Sequence, residues 1–570
     1  MAADGAALVA RYRRLQGERA LFDQHWEQLA PLLAPSRVGI RQAQPPGTRQ
    51  TQALYDSTTL LAAELMAQFI AGHLINPGQR WFSLGMDQAF ARSQGRRYVA
   101  GLAYASMPVR EWCEEMRDRQ LARYAASAFY AEGPESLIDY GGFGTGCLLG
   151  EERPQPVNQV LRGFRGFYFS AEKTGRFVIA EDAAGMVDTL MREYRLTARA
   201  CRDRWGAARL PEALASAAET RPDQLVPILH VIDPRPTAER AAGARGMPWR
   251  SVWVTLEGKD VLSEGGYPAF PACVPRYQKT PGEVYGRGRG DLAFPDTWTL
   301  NTAKRMGLED WALKIRPPVL VASDSVIGSL RLTPGAPTTV NLRLGRGIQD
   351  SIRPFETGSH PEISQLKEEE LRKSIRQIFY VDAILQLLQV EKSEMTAFEF
   401  AKKIELLFRL LGPVYGRMEF EFLRRRVEAD WDTLWAAGEF PPPPPEVLAT
   451  DGAIDVEFQN PLAKAQRSGD AESLTLALND LAPLGSVAPQ LLGAALDRLH
   501  PDKTSDGVFA IRGVPAAWQR SDAEMQALRD ARHQQNQDAL DAQQADAVAG
   551  ALGKAAPMVK ALKPAEGAGA

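Results

Sequence analysis

Residues 391–423 read EKSEMTAFEFAKKIELLFRLLGPVYGRMEFEFL, and this stretch says more about the fold than any other part of the chain. Thr396 and Glu399 have the spacing of a capping box, in which each side chain satisfies a backbone donor at a helix start. The helix is predicted to stop at Gly412 and Pro413, because glycine suits a left-handed cap and proline cannot continue the hydrogen-bond ladder. A second helix is predicted to follow at once, with apolar residues at helical spacing: Val414, Met418, Phe422, Val427, Trp431, Leu434 and Trp435.

Bulk composition indicates a folded chain of several domains. The 570 residues correspond to roughly four domains by the usual length prior. A hydrophobic content of 45% and a charged content of 24% are ordinary for a globular protein. The net charge of −3 argues against a protein that grips nucleic acid through overall positive charge, although it allows one past which DNA slides.

Targeting and redox signals are weak. The N-terminus lacks a basic segment, so a secretory signal is not expected. The most apolar run, residues 58–75, contains Glu64, Gln68 and His73, which makes it too polar for a membrane span of about 20 residues. The widely spaced cysteines form no C-x-x-C pair and are predicted to be buried, reduced thiols: Cys113, Cys147, Cys201 and Cys273.

Catalytic and cofactor motifs are not evident in the sequence. The six histidines form neither H-E-x-x-H nor H-x-H, so no metal site is expected. The glycine-rich runs GGFGTG and GRGRGD lack the lysine and hydroxyl of a phosphate-binding loop, and turn chemistry is the better interpretation. The sequence therefore predicts no cofactor and no enzymatic activity.

Local patterns predict further elements. Residues 6–34 form one amphipathic helix, and Asp56 caps a helix over 58–75. Residues 109–140 are helical. A hairpin is predicted from 167–169 and 177–179 around the turn 172–175, and further strands are predicted at 187–196, 225–232, 252–256, 319–321 and within 328–340. Further helices are predicted at 296–315 and 363–385, and a polar helix from about 519 to 555. The five prolines at 441–445 predict a stiff spacer.

Several strings resemble the portal (head-to-tail connector) proteins of short-tailed bacteriophages. They are T-A-F-E leading into L-G-P-V-Y-G-R, the run YDSTTLLAAELMAQFIAGHLINPGQRWFSL at 55–84, F-G-T-G at 143–146, Y-G-R at 285–287 and P-L-A-K-A-Q-R at 461–467. They occur in the family order over most of residues 5–470. The chain departs from the family in a second arginine, Arg289, within the Gly-Arg repeat.

The resemblance implies an α+β portal fold with a mainly helical core, a mixed α/β wing, a helical stem, a small β-rich clip and a helical crown, assembled as a ring. The implied segments are N-terminal helices and wing at 1–284, first stem helix at 285–318, clip at 319–362, second stem helix at 363–385, tunnel loop at 386–395, wing and crown helices at 396–440, crown at 441–520 and a polar, partly disordered tail at 521–570.

The same resemblance implies two sets of site residues. Residues expected at a DNA tunnel are Gln386, Gln389, Glu391, Lys392, Ser393, Lys367, Arg372, Lys373 and Arg376. Residues expected to dock the motor or tail are Val319, Ser325, Arg331, Arg343, Arg346 and Arg353. The alternative for the charged helix is a solvated face with pairs such as Glu368–Arg372 and Glu369–Lys373. Arg424, Arg425 and Arg426 contact either phosphate or carboxylates at a subunit interface.

A portal role implies a set of partners. These are further copies of the chain in a ring of usually twelve, the terminase large subunit, major capsid and scaffolding proteins, a tail adaptor and double-stranded DNA, with no membrane. The expected location is the capsid vertex of the virion, and the host cytoplasm during assembly. Two alternatives stay open: a minor capsid or internal virion protein without a channel, and a DNA-processing enzyme, which would need clustered carboxylates for metal ions.

Overall fold

The computed structural model divides into two compact units. One consists of Met1–Phe82, Asp118–Pro441 and Phe458–Gln466, and the other of Ser83–Arg117, Pro442–Glu457 and Arg467–Ala570. The residues that the structure describes are 4–41, 44–45, 47–86, 97–99, 102–104, 107–153, 164–241, 243, 246–315, 319–321, 352–354, 361–389, 412, 415–448, 454–458, 473–483, 496–512 and 514–560.

Helices and strands alternate irregularly along the chain. The α-helices discussed below are α1 (Gly5–Glu18), α2 (Ala20–Leu33), α3 (Thr58–Leu74), α4 (Met107–Ala125), α5 (Phe129–Phe143), α6 (Ala198–Trp205), α7 (Glu212–Thr220), α8 (Arg289–Ile315), α9 (Pro361–Ile378), α10 (Val381–Gln389), α11 (Arg425–Ala436), α12 (Pro445–Leu448), α13 (Pro501–Arg512) and α14 (Asp522–Lys560). The strands are β1 (Phe82–Met86), β2 (Arg97–Val99), β3 (Leu102–Tyr104), β4 (Leu148–Glu152), β5 (Phe167–Ala171), β6 (Phe177–Glu181), β7 (Val187–Thr197), β8 (Leu225–Pro234), β9 (Trp249–Thr255), β10 (Val261–Tyr267), β11 (Ala272–Cys273), β12 (Val319–Val321), β13 (Ile352–Pro354) and β14 (Ile454–Phe458).

A five-stranded antiparallel sheet in the order β10-β9-β8-β7-β6 forms the mixed region of the first unit. Alternate residues of its strands point to opposite faces. Leu229 packs with α1 on one face, whereas its neighbour Ile228 packs with α6 and α7 on the other. The sheet is therefore covered by helices on both sides, which agrees with the predicted α+β region. The predicted strands at 187–196, 225–232 and 252–256 are confirmed.

The single N-terminal helix predicted over 6–34 is wrong. The chain forms α1 and α2 with a joint at Arg19. The buried Arg19 guanidinium donates to the carbonyl of Gly175 at 2.8 Å, to that of Phe177, and to the Asp23 carboxylate at 3.2 Å. The joint lets α1 pack on the sheet while α2 packs against α3 and α8.

The predicted hairpin around residues 172–175 is also wrong. β5 pairs with β4, whereas β6 pairs with β7, so the two segments belong to different sheets. The intervening residues bond elsewhere: the Glu172 amide donates to the Cys147 carbonyl at 2.9 Å, and the Thr174 amide to Asp139 at 3.1 Å. The actual hairpin joins β6 and β7, where Asp182 accepts from the amides of Ala184 and Met186.

Several predicted helices are confirmed with adjusted ends. α3 follows Asp56, whose carboxylate accepts from the Thr58 amide at 2.9 Å. The region predicted helical over 109–140 is two helices, α4 and α5. The helix predicted after Pro413 is helical from 415, passes through a π-helical segment at Glu419–Arg424 and continues as α11.

Both helices of the predicted stem differ from expectation. α8 begins at Arg289 instead of Asp296, because the Asp291 carboxylate accepts from the Gly288 amide at 2.8 Å and caps the first turn. The helix predicted over 363–385 is interrupted at Tyr380, whose φ is 59°, and resumes as α10. Gln386 and Gln389 therefore lie in a helix and not in a loop.

The second unit combines a sheet in the order β14-β1-β3-β2 with α13, α14 and the start of α4. Glu114 of α4 accepts from the Ala516 amide at 2.9 Å, which fixes the segment before α14. The polar C-terminal helix predicted to about residue 555 is confirmed as α14. The helix predicted over 396–411, the strands within 328–340, residues 459–467 and the last ten residues lie outside the described part of the chain.

Candidate functional site

Helices α8 and α9 form an antiparallel pair. The Ser374 hydroxyl donates to Asp296 at 2.6 Å, and the Lys304 ammonium pairs with Glu368 at 3.3 Å. The partner residue number falls along α9 as the number rises along α8, so the two helices run in opposite directions. The two helices therefore flank the residues between them, and their assignment to a portal stem stays a prediction.

The described ends of that insertion form a short strand pair. β12 directly follows the α8 segment, and β13 precedes α9. Their register places Val319 opposite Pro354 and Leu320 opposite Arg353. Val319 and Arg353, both predicted docking residues, thus lie in the two strands at the base of the insertion. The other predicted docking residues, Ser325, Arg331, Arg343 and Arg346, lie outside the described residues.

A network of charges joins the N-terminus of α3 to the antiparallel pair. The Arg372 guanidinium of α9 donates to Asp56 at 3.0 Å and to Glu368 at 3.2 Å, and Glu368 also pairs with Lys304. Burial would raise the pKa of Asp56, but hydrogen bonds from Thr58 and the Arg372 guanidinium outweigh it and hold that pKa below its ordinary value. Arg372 is consequently neutralised within its own chain.

Neutral hydrogen bonds support the same junction. The Asn301 side chain of α8 accepts from the Tyr55 amide at 2.7 Å and donates to the Ala53 carbonyl at 2.8 Å. Thr59 and Thr297 share a buried hydrogen bond of 2.8 Å. Residues of the Y-D-S-T string therefore bind both α8, through Asn301, and α9, through Arg372. The sequence pattern alone does not predict these contacts.

The predicted tunnel residues occupy distinct environments. Lys367 and Lys373 are exposed on α9, whereas Arg376 pairs with Glu369 at 3.2 Å and with Asp382 at 3.4 Å. The predicted Glu368–Arg372 pair is confirmed, whereas Glu369 pairs with Arg372 and Arg376 instead of the predicted Lys373. Gln386 is exposed on α10. Glu391, Lys392 and Ser393 lie outside the described residues.

Arg426 is not available to DNA, since its side chain is 1% exposed. Its Nε donates to Asp430 at 2.7 Å, and its Nη1 donates to the Pro271 carbonyl at 2.8 Å. Arg425 donates to the Val187 carbonyl at 2.6 Å, and Arg424 pairs with Glu428 at 3.7 Å. Burial within the chain corrects this expectation for Arg426, whereas contacts of Arg424 and Arg425 with phosphate or a neighbouring subunit stay a prediction.

Helix α8 carries exposed apolar side chains from its first half to its end. Trp298, Met306 and Trp311 are 55%, 56% and 64% exposed, and Ile315 at the end of the helix is 64% exposed. Large apolar groups of this kind are favoured at protein interfaces. The sequence of α8 shows no single apolar stripe, which is a partial signal that apolar side chains lie on more than one side of the helix.

Sequence reasoning missed a buried anchor formed by Arg276 and Glu421. Arg276 is 1% exposed and donates to Glu421 at 2.7 Å and to Glu181. The pair fixes the π-helical segment against the loop that precedes α8. No local sequence signal could identify it, since the two residues are 145 positions apart.

The four cysteines are buried, as predicted, and burial raises the pKa of Cys113 to about 12 and that of Cys273 to about 11. Within the described ranges, no three histidine, cysteine or acidic side chains are grouped to hold a metal ion. In that same part of the chain, no helix is both long and apolar enough to cross a membrane.

Comparison with known proteins assigns the chain to a family. Residues 6–518 match the family described as bacteriophage head to tail connecting protein. The chain is 26% identical over 522 residues to the probable portal protein of Bordetella phage BPP-1, covering 89% of this chain and 87% of that protein. It is 24% identical over 540 residues to the portal protein of Salmonella phage epsilon15, covering 93% and 91%.

Among solved structures, a chain from the virion of a native gene transfer agent particle is 13% identical, with a TM-score of 0.27 over 78% of this chain and 94% of that one. That likeness is too slight to support an inference about either fold or function. The family match, in contrast, extends from α1 to the segment before α14. This chain belongs to the bacteriophage head to tail connecting proteins.

Proposed function

We propose that this chain is the portal subunit of a bacteriophage, which forms a ring at one capsid vertex and passes double-stranded DNA through its centre. The observation that carries the proposal is the family match over residues 6–518 together with two relatives named portal proteins. Family membership makes the chain a virion component that connects head to tail. In the portal role it also nucleates head assembly, in the host cytoplasm.

Ring assembly has a structural argument of its own. The exposed side chains of Trp298, Met306 and Trp311 on α8 gain free energy only when another surface covers them. A head-to-tail interface between identical chains repeats until the ring closes. Twelve subunits, the number usual in the family, would carry a formal charge of 12 × −3 = −36 from the charge of a single chain. Such a ring would not hold DNA tightly by overall charge.

The channel lining is assigned to the end of α10 and the residues that follow it. Gln386, Gln389, Glu391, Lys392 and Ser393 mix signs and lack a dense basic patch. Weak contacts suit a passage, because each neutralised phosphate releases counterions and strengthens binding, which would stall movement. Replacing Lys392 with Glu should impair packaging or retention of DNA while ring assembly is intact. Normal packaging and retention of full-length genomes would reduce this segment to a connector.

Docking is assigned to the insertion between β12 and β13. Insertions on rigid scaffolds commonly carry binding residues, and α8 with α9 supplies such a scaffold. In this proposal the insertion binds the terminase large subunit during packaging and the tail adaptor afterwards. Scaffolding and major capsid proteins contact other parts of the ring. ATP hydrolysis belongs to the motor, so the chain is not an enzyme.

Electron microscopy of the purified oligomer tests the proposal most directly. Negatively stained particles should be annular with a central opening, and class averages viewed along the axis should give the subunit number. Native mass spectrometry should return the same number. A population of compact particles without an opening under assembly conditions would favour a minor capsid or internal virion protein instead.

A further inference from the structure

The joint between α9 and α10 lies at a residue whose backbone conformation is unfavourable. Tyr380 has a φ of 59°, in the left-handed region that tyrosine rarely adopts and that glycine adopts freely. Its amide donates to the Gln377 carbonyl at 3.1 Å, and its carbonyl accepts from the Ile384 amide at 3.0 Å. The two helices therefore meet at one strained residue, without a loop between them.

The sequence across the joint favours a continuous helix. Residues 363–385 contain no glycine and no proline, and their apolar side chains recur at helical spacing through the position of the break. A straight helix would also place Tyr380 in the ordinary right-handed region. Local preference and the observed bend are thus opposed, so tertiary contacts must hold the bend.

Arg289 supplies the most direct of those contacts. Its guanidinium donates to the Tyr380 hydroxyl and, through Nε, to the Tyr277 hydroxyl at 2.6 Å. The guanidinium carbon also lies 4.6 Å from the centre of the Tyr380 ring, within range of a cation–π contact. Arg289 is the first residue of α8, so this contact joins the start of one stem helix to the end of the other.

Two further features affect whether the α9–α10 joint is bent or straight. Ile384 of α10 is 1% exposed and packs against Leu65 and Phe69 of α3, which favours the bend. A cavity of about 570 Å³ lies along the joint and is lined by residues that include Gln377, Tyr380 and Gln386. The cavity gives α10 open space on one side, while a change in its direction has to withdraw Ile384 from α3.

We infer that the α9–α10 joint is a two-state element: Arg289 holds it bent at Tyr380, and its release allows α9 and α10 to merge into one helix. Straightening changes the direction in which the chain leaves Gln389. Arg289 and Tyr380 are positioning residues that act through the helix direction. The bent and straight states of the joint are a property of the chain itself. That the change between them moves the segment after Gln389 towards or away from DNA rests on the proposed function.

A distance measurement across the joint tests this inference. Cysteines introduced as Glu370→Cys and Gln386→Cys, both at exposed positions, carry spin labels, and the native cysteines are buried. A straight helix separates positions 16 residues apart by about 24 Å along its axis, at about 1.5 Å per residue. A bend at Tyr380 brings the labels closer. The full-length protein is measured by pulsed electron spin resonance, with labelled chains diluted among unlabelled ones.

The wild-type chain should give mainly the shorter distance. Arg289→Ala should raise the ratio of straight to bent chains by about tenfold, as expected for the loss of a hydrogen bond from a charged group. Tyr380→Phe, which keeps the ring and removes the hydroxyl, should shift the ratio in the same direction by a smaller factor. Tyr380→Gly added to Arg289→Ala should restore the short distance, because glycine adopts the bent conformation without strain.

Arg287→Ala is the matched control, since Arg287 lies in the same Gly-Arg repeat and pairs with the nearby Glu283. An unchanged distance in both Arg289→Ala and Tyr380→Phe overturns the inference, as does an equal shift in Arg287→Ala. Failure of the chain to form annular particles would overturn the proposed function instead, and the distance measurement would still report on the joint.

Discussion

Arg276 and Glu421 lie 145 residues apart in the chain, yet the Arg276 guanidinium donates to the Glu421 carboxylate at 2.7 Å inside the protein. The Arg276 backbone amide donates to the same carboxylate at 2.8 Å. Both side chains are buried, at 1% and 6% exposure. One carboxylate therefore fixes both the main chain and the side chain of the segment that leads towards α8.

Removal of this carboxylate should be strongly destabilising. Glu421→Ala leaves the buried Arg276 with Glu181 as its one charged partner among the described residues, and breaking a buried pair from one side costs about 3 kcal/mol. Denaturant unfolding of the unassembled chain, followed by tryptophan fluorescence, measures the loss. Glu428→Ala, which removes the exposed partner of Arg424, should change the free energy of unfolding by less than about 0.5 kcal/mol. Equal losses in the two variants would contradict the anchoring role of Glu421.

The Asp56–Arg372 pair should make the junction of α3 with α9 sensitive to acid. The pKa of Asp56 in the folded state lies below its ordinary value of 3.8, so the unfolded chain binds a proton first as the pH falls. The stabilisation is fully present above about pH 4 and is lost as the pH falls through the lowered pKa. Asp56→Asn should lose about 1 kcal/mol at pH 7, because it removes the charge that pairs with Arg372, and should show less further loss in acid. Glu369→Gln, which removes an exposed partner of the same arginine, should retain the acid-dependent loss.

The buried His230 should make the five-stranded sheet less stable below neutral pH. Burial, and then the neighbouring charges of Arg192 and Arg204, hold the pKa of His230 well below its ordinary value. Its Nδ1 accepts from Arg192 at 3.0 Å, so its Nε2 carries the proton and donates to Ser251 at 2.9 Å. The unfolded chain takes up a proton near pH 6.5 that the folded chain excludes, so stability falls with pH below that value by up to about 1.4 kcal/mol per unit.

Hydrogen–deuterium exchange of β7, β8 and β9 at pH 7.5 and pH 5.5 measures this loss locally. His230→Gln should be less stable than the wild type at pH 7.5 and should lose most of the pH dependence of exchange in these strands. His533→Gln, at an exposed position of α14, should leave that dependence as it is in the wild type. A wild-type sheet whose exchange free energy is the same at both pH values would show the expectation to be wrong.

The exposed tryptophans of α8 should contribute to assembly. Trp311→Ser should weaken subunit association by about 30-fold per interface, which corresponds to a hot spot of about 2 kcal/mol. Folding of the single chain should be unaffected, since the side chain is already 64% exposed there. Sedimentation velocity over a concentration series measures the association. Trp518→Ser makes the same substitution at an exposed residue of the other unit and should associate normally.

The strand pair at the base of the insertion permits a precise deletion. Val321 lies opposite Ile352, so residues 322–351 can be replaced by a short Gly-Ser turn that preserves β12, β13 and the α8–α9 pair. The shortened chain should fold and assemble but lose binding to the terminase large subunit in a pull-down. A scrambled sequence of the original length at 322–351 is the control for composition. Unchanged terminase binding by the shortened chain would place the docking surface elsewhere.

Much of the architecture could be predicted from sequence because it depends on local chemistry. The helix after Asp56, the strands at 187–196 and 225–232, and the helix that continues through Phe422 all follow from caps and side-chain periodicity. The resemblance to the family likewise depends on short sequence motifs and their order along the chain, and the family match over residues 6–518 confirms it. These features need no information about distant residues.

Only the tertiary structure decided which strands pair and which charged side chains are buried or paired with residues far away in sequence. Phe167–Ala171 and Phe177–Glu181 look like a hairpin, but the first pairs with Leu148–Glu152 and the second with Val187–Thr197, in different sheets. Arg426 looks like a cation for DNA, yet the fold buries it and brings the Pro271 carbonyl to its guanidinium, and Arg372 pairs with Asp56, which lies 316 positions away. A side chain's neighbours across the fold set its exposure and charge balance, and periodicity along the chain carries no record of them.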